Sequence, residues 1–401
     1  MPNAFRRISI SSDARLLLSL FLPLYAVHCV EQIYFVYGNV LQGYGIEPRT
    51  IGLILGSFFV SIMATRPLGG WVLENFGIRR TLLGSSIVGF IGCSILFASK
   101  SIPLLFAGRV LSGACFGVYS IGIFSYLALV VPEKARAASF ALTISGGILP
   151  IATITPFGEW LIAKSMPRAF LAIGPSLCVI CWLLGRQVGP VASSRRDNSP
   201  GNWGSYRDLL SNRPFIFLMA TGFMIALTDA SLVSVSLFAA EHGLAASWFM
   251  ASSSIAGLIV RVPCSRVMNI LPSTLMLAPF GIMMTAAVFL VSFVPSVEIF
   301  VIGGVIFGLG IGAGFPLLIS MVSDTLPQSL IPKGTASLLA FYDLGWFITP
   351  ILIGFTTELI GTAWSFRLVS GISLAFLLPL QICYWFPFWL SKRTQRARSR
   401  V

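Results

Sequence analysis

The chain has 401 residues, of which 56% are hydrophobic and only 10% are charged, and its formal net charge is +13. A soluble domain carries about 25% charged residues. A larger soluble core does not explain the deficit, because soluble cores split into domains as they grow. The composition therefore excludes an ordinary soluble protein. The excess of basic residues lies in alternate loops, so we attribute it to membrane orientation rather than to nucleic-acid binding.

Twelve apolar runs are long enough to cross a bilayer as helices, which takes about 20 residues each. The first run follows Arg6, Arg7 and Arg15. It is too long for a signal peptide and has no clear cleavage site, so we interpret it as a retained span. Numbered span one to span twelve, the runs lie at about 16–38, 50–73, 80–98, 102–130, 135–162, 168–187, 214–239, 245–267, 273–293, 297–322, 334–359 and 365–389. The sequence predicts an all-α membrane protein with twelve transmembrane helices.

The basic residues predict the orientation of these spans. Nineteen Lys and Arg residues lie on the side that carries both termini, and five lie in the opposite loops. Cytoplasmic loops carry the excess of Lys and Arg. We therefore expect both termini to be cytoplasmic, in a bacterial inner membrane.

A single long loop, rich in Gly, Ser, Pro and Arg, separates six spans from six. It predicts an N-terminal bundle at 1–188, a cytoplasmic linker at 189–213, a C-terminal bundle at 214–390 and a basic tail at 391–401.

Spans four and five are repeated in spans ten and eleven. The matching positions are Gly113, Gly117 and Pro132 in the first copy and Gly308, Gly312 and Pro327 in the second, at a constant offset of 195. After a three-residue insertion, Ala138-Ser139 matches Ala336-Ser337, and both copies then reach the tripeptide ITP, at 154–156 and 348–350. The ordered matches predict two related six-helix halves. The paired glycines favour close helix packing.

The loop after span two, RPLGGWVLENFGIRRTLL at 66–83, carries a family motif. It resembles the signature loop of the major facilitator superfamily, with Glu74 where that family usually has Asp. The resemblance implies a gating role for this loop. Its residues are Arg66, Gly70, Glu74, Gly77, Arg79 and Arg80.

A second motif, FAGRVLSGACFG at 106–117, is similar to the span-four motif of the same superfamily, with Arg109 and Gly113 in register. Span five partly resembles the antiport motif through Gly146, Gly147 and Pro156. The resemblance implies two pseudo-symmetric six-helix bundles around a midplane site, and secondary transport by alternating access. It does not name a substrate.

Span one carries a polar stripe within an apolar helix. Glu31 lies near its middle, with His28 and Gln32 on the same broad face and Tyr25 and Tyr34 one turn away. One interpretation is a structural hydrogen-bond network. The other is a proton or substrate site, because ionisable residues inside a membrane are expensive and usually functional. Metal ligation by His28 and Glu31 is a weaker alternative, because two ligands on one helix do not make a complete site.

Asp229 lies midway along span seven, the counterpart of span one. The family resemblance implies that spans one, four, seven and ten line a central cavity, so that Glu31 and Asp229 face it from opposite halves with Arg109 nearby. The alternative for Arg109 is a structural anchor to backbone carbonyls. The predicted proton-coupling residues are Glu31, Asp229, His28 and Arg109. The predicted substrate-binding residues are Tyr25, Gln32, Tyr34, Arg109, Tyr119, Tyr342 and Trp346.

Other charged residues are expected nearer the membrane surfaces. Arg66, Glu74 and Arg261 lie near the cytoplasmic span ends and can extend toward water, so they are interpreted as gating or structural residues. Asp343 is placed near an interface, although with Tyr342 and Trp346 it can also point inward.

The predicted function is proton-coupled efflux of a small amphipathic or polar solute. The alternative is proton-coupled uptake of a small organic anion, with Arg109 as the anion partner. An enzyme is not expected, because no HExxH, GxSxG or phosphate loop appears, and the repeat argues against a receptor. We expect a monomer that uses a proton gradient, small-molecule substrate and lipid, without cofactor, metal or nucleic acid.

Overall fold

The computed structural model describes residues 10–130, 133–188, 206–267, 273–327 and 330–391. All regular structure within these ranges is helical. The predicted linker residues 189–205 and the basic tail from 392 lie outside the described residues. The predicted all-α membrane fold is confirmed.

The first half contains spans one to six. Span one is divided into helix Ile10–Gln32, a 3₁₀ turn Ile33–Val36 and helix Tyr37–Gly43. Spans two to six are Pro48–Phe76, Ile78–Ala98, Ile102–Val130, Glu133–Ala163 and Pro167–Gln187.

The second half is preceded by a short helix within the predicted linker, Tyr206–Ser211. Span seven is divided into Arg213–Asp229 and Leu232–Glu241. Spans eight to eleven are Ser247–Val267, Ser273–Val291, Val297–Thr325 and Ile331–Ile360. Span twelve is Thr362–Pro379, followed by a π-helical segment Leu380–Trp385 and a last helical stretch to residue 391.

Eleven segments of the described chain are long and apolar enough to cross a membrane. Span eight, Ser247–Val267, is helical as well and carries Ser252, Ser253, Ser254 and Arg261. It packs against spans five and ten.

Repeated glycines set the packing within each half. A Cβ atom on Gly113 would lie 3.0 Å from the Cβ of Ser61 in span two, and one on Gly308 would lie 2.9 Å from the Cα of Ser253 in span eight. Spans four and ten therefore approach their neighbours at backbone distance, at equivalent places in the two halves. This is the packing that small-residue motifs favour in membrane helices.

Three pairs of spans join the halves: one with seven, two with eleven, and five with eight. We call the side that carries residues 10 and 391 the terminal face. The other side, the far face, carries the connections 44–47, 99–101, 164–166, 242–246, 292–296 and 361. Near the far face, a Cβ atom on Gly52 would lie 3.3 Å from the Cα of Gly354, and one on Gly56 would lie 2.9 Å from the carbonyl oxygen of Phe347. The two halves are therefore in close contact on the far-face side.

The glycine packing predicts a difference between two alanine substitutions. Gly308→Ala forces backbone of span eight to move, and overpacking of this kind costs about 1–3 kcal/mol. Gly371→Ala is the matched control, since no atom lies within 4 Å of its added Cβ. We expect the midpoint of thermal unfolding of the purified protein to fall for Gly308→Ala and to stay unchanged for Gly371→Ala. Equal midpoints would contradict the packing role.

Candidate functional site

Both predicted acids lie where a membrane helix is interrupted. Glu31 is the next-to-last residue of helix Ile10–Gln32, and Asp229 is the last residue of helix Arg213–Asp229. A 3₁₀ turn follows Glu31, and a two-residue break follows Asp229. Interrupted helices are tolerated at membrane depth only where they are buried in protein or line a cavity. The two breaks lie at corresponding places in the two halves.

The ITP tripeptides explain how these breaks are stabilised. Thr155 Oγ1 donates to the carbonyl oxygen of Gln32 at 3.0 Å. Thr349 Oγ1 donates to the carbonyl oxygen of Leu227, also at 3.0 Å. A backbone carbonyl near a helix break must find a donor within the protein, because lipid offers none. The repeated threonines supply it once in each half.

The acids face a cavity of about 230 Å³ between the halves. Its wall is largely aromatic and aliphatic, with polar groups from both halves. The lining residues include His28, Glu31, Gln32, Phe35, Phe59, Arg66, Phe116, Ile148, Asp229, Arg261, Phe307, Tyr342, Asp343 and Trp346. A mostly apolar cavity with a few convergent polar groups is the usual form of a small-molecule site.

The polar stripe of span one forms one wall of this cavity. Glu31 is 8% exposed. Gln32 Nε2 donates to the carbonyl oxygen of Gly147 at 2.7 Å, and its Oε1 has no partner. His28 Nδ1 lies 2.9 Å from the carbonyl oxygen of Leu24, and its ring meets Phe116 edge-on at 4.9 Å. His28, Glu31 and Gln32 therefore line the cavity together, as expected from the sequence. Their roles stay predictions.

Asp229 forms the opposing wall. Tyr342 Oη donates to Asp229 Oδ2 at 2.7 Å, and Trp346 Nε1 donates to the same oxygen at 3.1 Å. Both aromatic residues are on span eleven and also line the cavity. The structure thus brings together three residues that were proposed separately as proton-coupling and substrate-binding groups.

An ion pair crosses the cavity between the halves. Arg66 of span two pairs with Asp343 of span eleven, and Arg66 Nη2 donates to Asp343 Oδ1 at 3.0 Å. The side chain of Arg66 is 29% exposed, so this part of the cavity meets solvent. Arg66 and Arg261 had been predicted near the cytoplasmic span ends, and Asp343 either near an interface or pointing inward. All three line the cavity, so Asp343 points inward.

Arg109 does not line the cavity. It is fully buried, with its guanidinium carbon 4.4 Å from the ring centre of Phe58 and 5.2 Å from that of Tyr34. Its Nε and Nη1 atoms have no hydrogen-bond partner. It is near enough to Glu31 to interact with it electrostatically. The prediction that it contacts substrate is therefore not supported by its position, whereas an interaction with Glu31 is.

Three predicted substrate residues lie away from the cavity. Tyr25 Oη lies 2.8 Å from Thr153 Oγ1. Tyr119 is buried and its hydroxyl donates to the carbonyl oxygen of Cys181 at 2.9 Å. Tyr34 is buried against Tyr37 and Phe170, at 5.4 and 6.3 Å between ring centres. None of the three lines the cavity, because each faces a neighbouring helix of its own half. Their role in substrate binding stays a prediction.

The signature loop lies at the terminal face. Gly77 has a positive φ of 74° between spans two and three, a conformation that favours glycine, and its amide donates to the carbonyl oxygen of Leu73. Arg79 and Arg80 are exposed. Gly70 and Glu74 belong to the last turns of span two. The gating role of this loop stays a prediction.

The sequence pattern of the Major Facilitator Superfamily matches residues 14–294 and 221–400, almost the whole described chain. The chain belongs to the Major Facilitator Superfamily. It is therefore a secondary transporter and not an enzyme.

Relatives in this superfamily transport different solutes. The staphylopine export protein of Staphylococcus aureus is 22% identical over 376 residues, covering 89% of this chain and 91% of that protein. A probable anion transporter of rice chloroplasts (Oryza sativa subsp. japonica) is 33% identical over 135 residues. That match covers 33% of this chain, which spans only 23% of the rice protein's length.

The fold also matches solved transporter structures. A bacterial homologue of the human lysosomal transporter Spinster superposes with a TM-score of 0.71 at 14% identity, covering 93% of this chain and 96% of that one. At this identity the likeness shows the fold alone.

The far face of this superfamily member is held closed by contacts between the halves. Glu159 of span five accepts hydrogen bonds from the backbone amides of Ala246 and Ser247, at 2.6 and 2.8 Å, at the start of span eight. The amide of Arg49 donates to Glu358 at 2.9 Å. A carboxylate at a helix N-terminus is stabilised by the unpaired amides there. Sequence reasoning missed Glu159, because neither span alone shows that it faces the end of the other.

Removing this carboxylate is expected to loosen the far face. Hydrogen bonds to a charged group contribute about 1.5–3 kcal/mol, so Glu159→Ala should raise the population of molecules with separated far-face ends about tenfold or more. Distances between spin labels at Lys164 and His242, in a background without reactive cysteines, measure this. Glu47→Ala is the control, since Glu47 is an exposed far-face residue whose side chain caps nothing. Identical distance distributions for Glu159→Ala and wild type would contradict the closing role.

Proposed function

We propose that this transporter exports a small amphipathic or polar solute in exchange for protons, by alternating access across a bacterial inner membrane. The observation that carries the proposal is the arrangement of Glu31 and Asp229. Two carboxyl groups at helix breaks face one cavity from opposite halves. Such breaks are where secondary transporters bind substrates and coupling ions.

Glu31 and Asp229 have different surroundings, and we assign them different roles. Asp229 is held by two neutral donors, Tyr342 and Trp346. Glu31 has the buried Arg109 behind it within electrostatic range. Burial makes the balance between charged and neutral carboxyl forms depend on neighbouring groups. A solute near Glu31 can therefore be exchanged for a proton on its carboxyl group. Arg109 supplies the counter-charge to the ionised form, and His28 is a second proton-coupling group on the same face.

The direction and orientation are proposed from charge and similarity. Both termini are assigned to the cytoplasm by the excess of basic residues on that side. The far face is then periplasmic, and the cavity lies on the cytoplasmic side of its closure. A relative that covers most of this chain is named as an exporter, which supports efflux. We assign a monomer, since both halves of the cavity belong to the same chain. We also assign no cofactor.

A second candidate is proton-coupled uptake of a small organic anion. It is favoured by the partial match to the rice protein named as a probable anion transporter. Transport direction in reconstituted vesicles separates the two candidates.

Proton coupling is tested in proteoliposomes with a pH-sensitive dye inside and an imposed pH gradient. A panel of amino acids, peptides, carboxylates and amphipathic amines is added in turn. Wild-type protein should move protons in response to at least one solute. Glu31→Gln and Asp229→Asn should each reduce solute-dependent proton flux at least about tenfold, since the neutral side chains cannot titrate.

Glu47→Gln is the control for loss of a carboxylate, because Glu47 is exposed at the far face and lies outside the cavity. It should couple like wild type. If both cavity variants drive protons as well as wild type does, the assignment of the proton site is wrong.

A further inference from the structure

Arg261 of span eight is a cavity residue with no counter-charge among the described residues. It lines the cavity, its Nε atom has no hydrogen-bond partner, and within the described ranges no carboxylate pairs with it. Glu31 lies within electrostatic range of Arg109, Arg66 and Asp343. A largely buried guanidinium stays charged and is costly to leave unpaired. Among the described residues that line the cavity, Arg261 is therefore a positive group open to an anion.

The repeat shows what is missing beside Arg261. Arg66 and Arg261 are separated by 195 residues, the offset that relates the glycine motifs of spans four and ten. They lie at equivalent places on spans two and eight. Arg66 is paired across the halves with Asp343 of span eleven. By the same symmetry, the partner of Arg261 belongs on span five, which packs against span eight.

The described side chains of span five offer no such partner. Its cavity residues are Ile144, Gly147, Ile148 and Ile151, and those of span eleven are Leu339, Tyr342, Asp343 and Trp346. The two sets have the same spacing, and Ile148 takes the place among the cavity residues of span five that Asp343 takes among those of span eleven. Span five has two carboxylates. Glu159 is bound to backbone at the far face, and Glu133 begins the helix at the terminal face.

We propose that Arg261 binds an anionic group, a carboxylate or a phosphate, of the transported solute. This proposal shares one assumption with the proposed function, namely that the cavity binds the transported solute. A guanidinium binds both anions through two parallel hydrogen bonds. The aromatic wall, which includes Phe35, Phe59 and Phe307, suits an apolar body attached to that group. The solute completes in this half the ion pair that Asp343 completes in the other.

The proposal is tested by equilibrium binding to purified full-length protein in detergent. The probes are benzoate and phenyl phosphate, with benzamide as the neutral counterpart of benzoate. Wild-type protein should bind at least one anion about tenfold or more tightly than benzamide. Arg261→Gln should abolish this preference and leave benzamide affinity within about twofold, and Arg261→Lys should lose part of it. The two anions distinguish a carboxylate site from a phosphate site.

Two further variants keep the result interpretable. Ile148→Asp places a carboxylate opposite an intact Arg261, so it should weaken anion binding as much as Arg261→Gln does. Arg168→Gln removes one positive charge from the exposed far face and should bind like wild type.

The proposal fails if wild-type protein binds no anion or shows no preference over benzamide. It also fails if Arg261→Gln or Ile148→Asp keeps the preference. No proton gradient is present in this experiment. Loss of the proposed proton coupling would therefore leave its outcome unchanged, and the two ideas fail separately.

Discussion

The site depends on keeping two interrupted helices intact at membrane depth. A break in a membrane helix frees backbone groups that lipid cannot satisfy, each at a cost of several kcal/mol. Thr155 and Thr349, one in each half, donate hydrogen bonds to backbone carbonyl oxygens beside the breaks. Because the breaks are held, Glu31 and Asp229 are presented to one cavity at the ends of rigid helices. The geometry that the two halves share therefore depends on these backbone hydrogen bonds, and the same bonds fix the positions of the two acids.

Charge in the cavity is divided between groups that are paired within the protein and groups that are not. Arg66 and Asp343 neutralise each other across the halves. Asp229 is held by neutral donors. Arg261 has no such partner among the described residues, whereas Glu31 has the buried Arg109 within electrostatic range. The Coulomb energy of an unpaired charge in a poorly solvated cavity is large compared with the same charge in water. An anionic solute that enters the cavity therefore acts mainly on Arg261.

The sequence was sufficient to predict which residues lie within the membrane and that the two halves are related. It was insufficient to predict which side chains contact each other. Hydropathy located the spans, and the repeat made span seven the counterpart of span one. The family resemblance then implied that Glu31 and Asp229 face one cavity, which both residues line. Tyr25 and Tyr119 do not line the cavity, and hydropathy cannot show this, because the direction a side chain faces depends on how its helix is rotated against its neighbours. Whether Asp343 points inward was left open, because its partner Arg66 is 277 residues away in the sequence. The constant offset of 195 was available in the sequence. Applied to Arg66, it would have found Arg261.

Alternating access also constrains how strongly the far face can be closed. The two states of a transporter must differ by no more than a few kcal/mol if both are to be populated. The closing contacts include close glycine packing at Gly52 and Gly56, buried apolar side chains such as Ile51, Leu55 and Ile353, and carboxylates on backbone amides. A carboxylate that leaves an amide at a helix end is resolvated at once, whereas the apolar side chains lose their contact area. Opening of the far face must therefore offset mainly the loss of apolar packing.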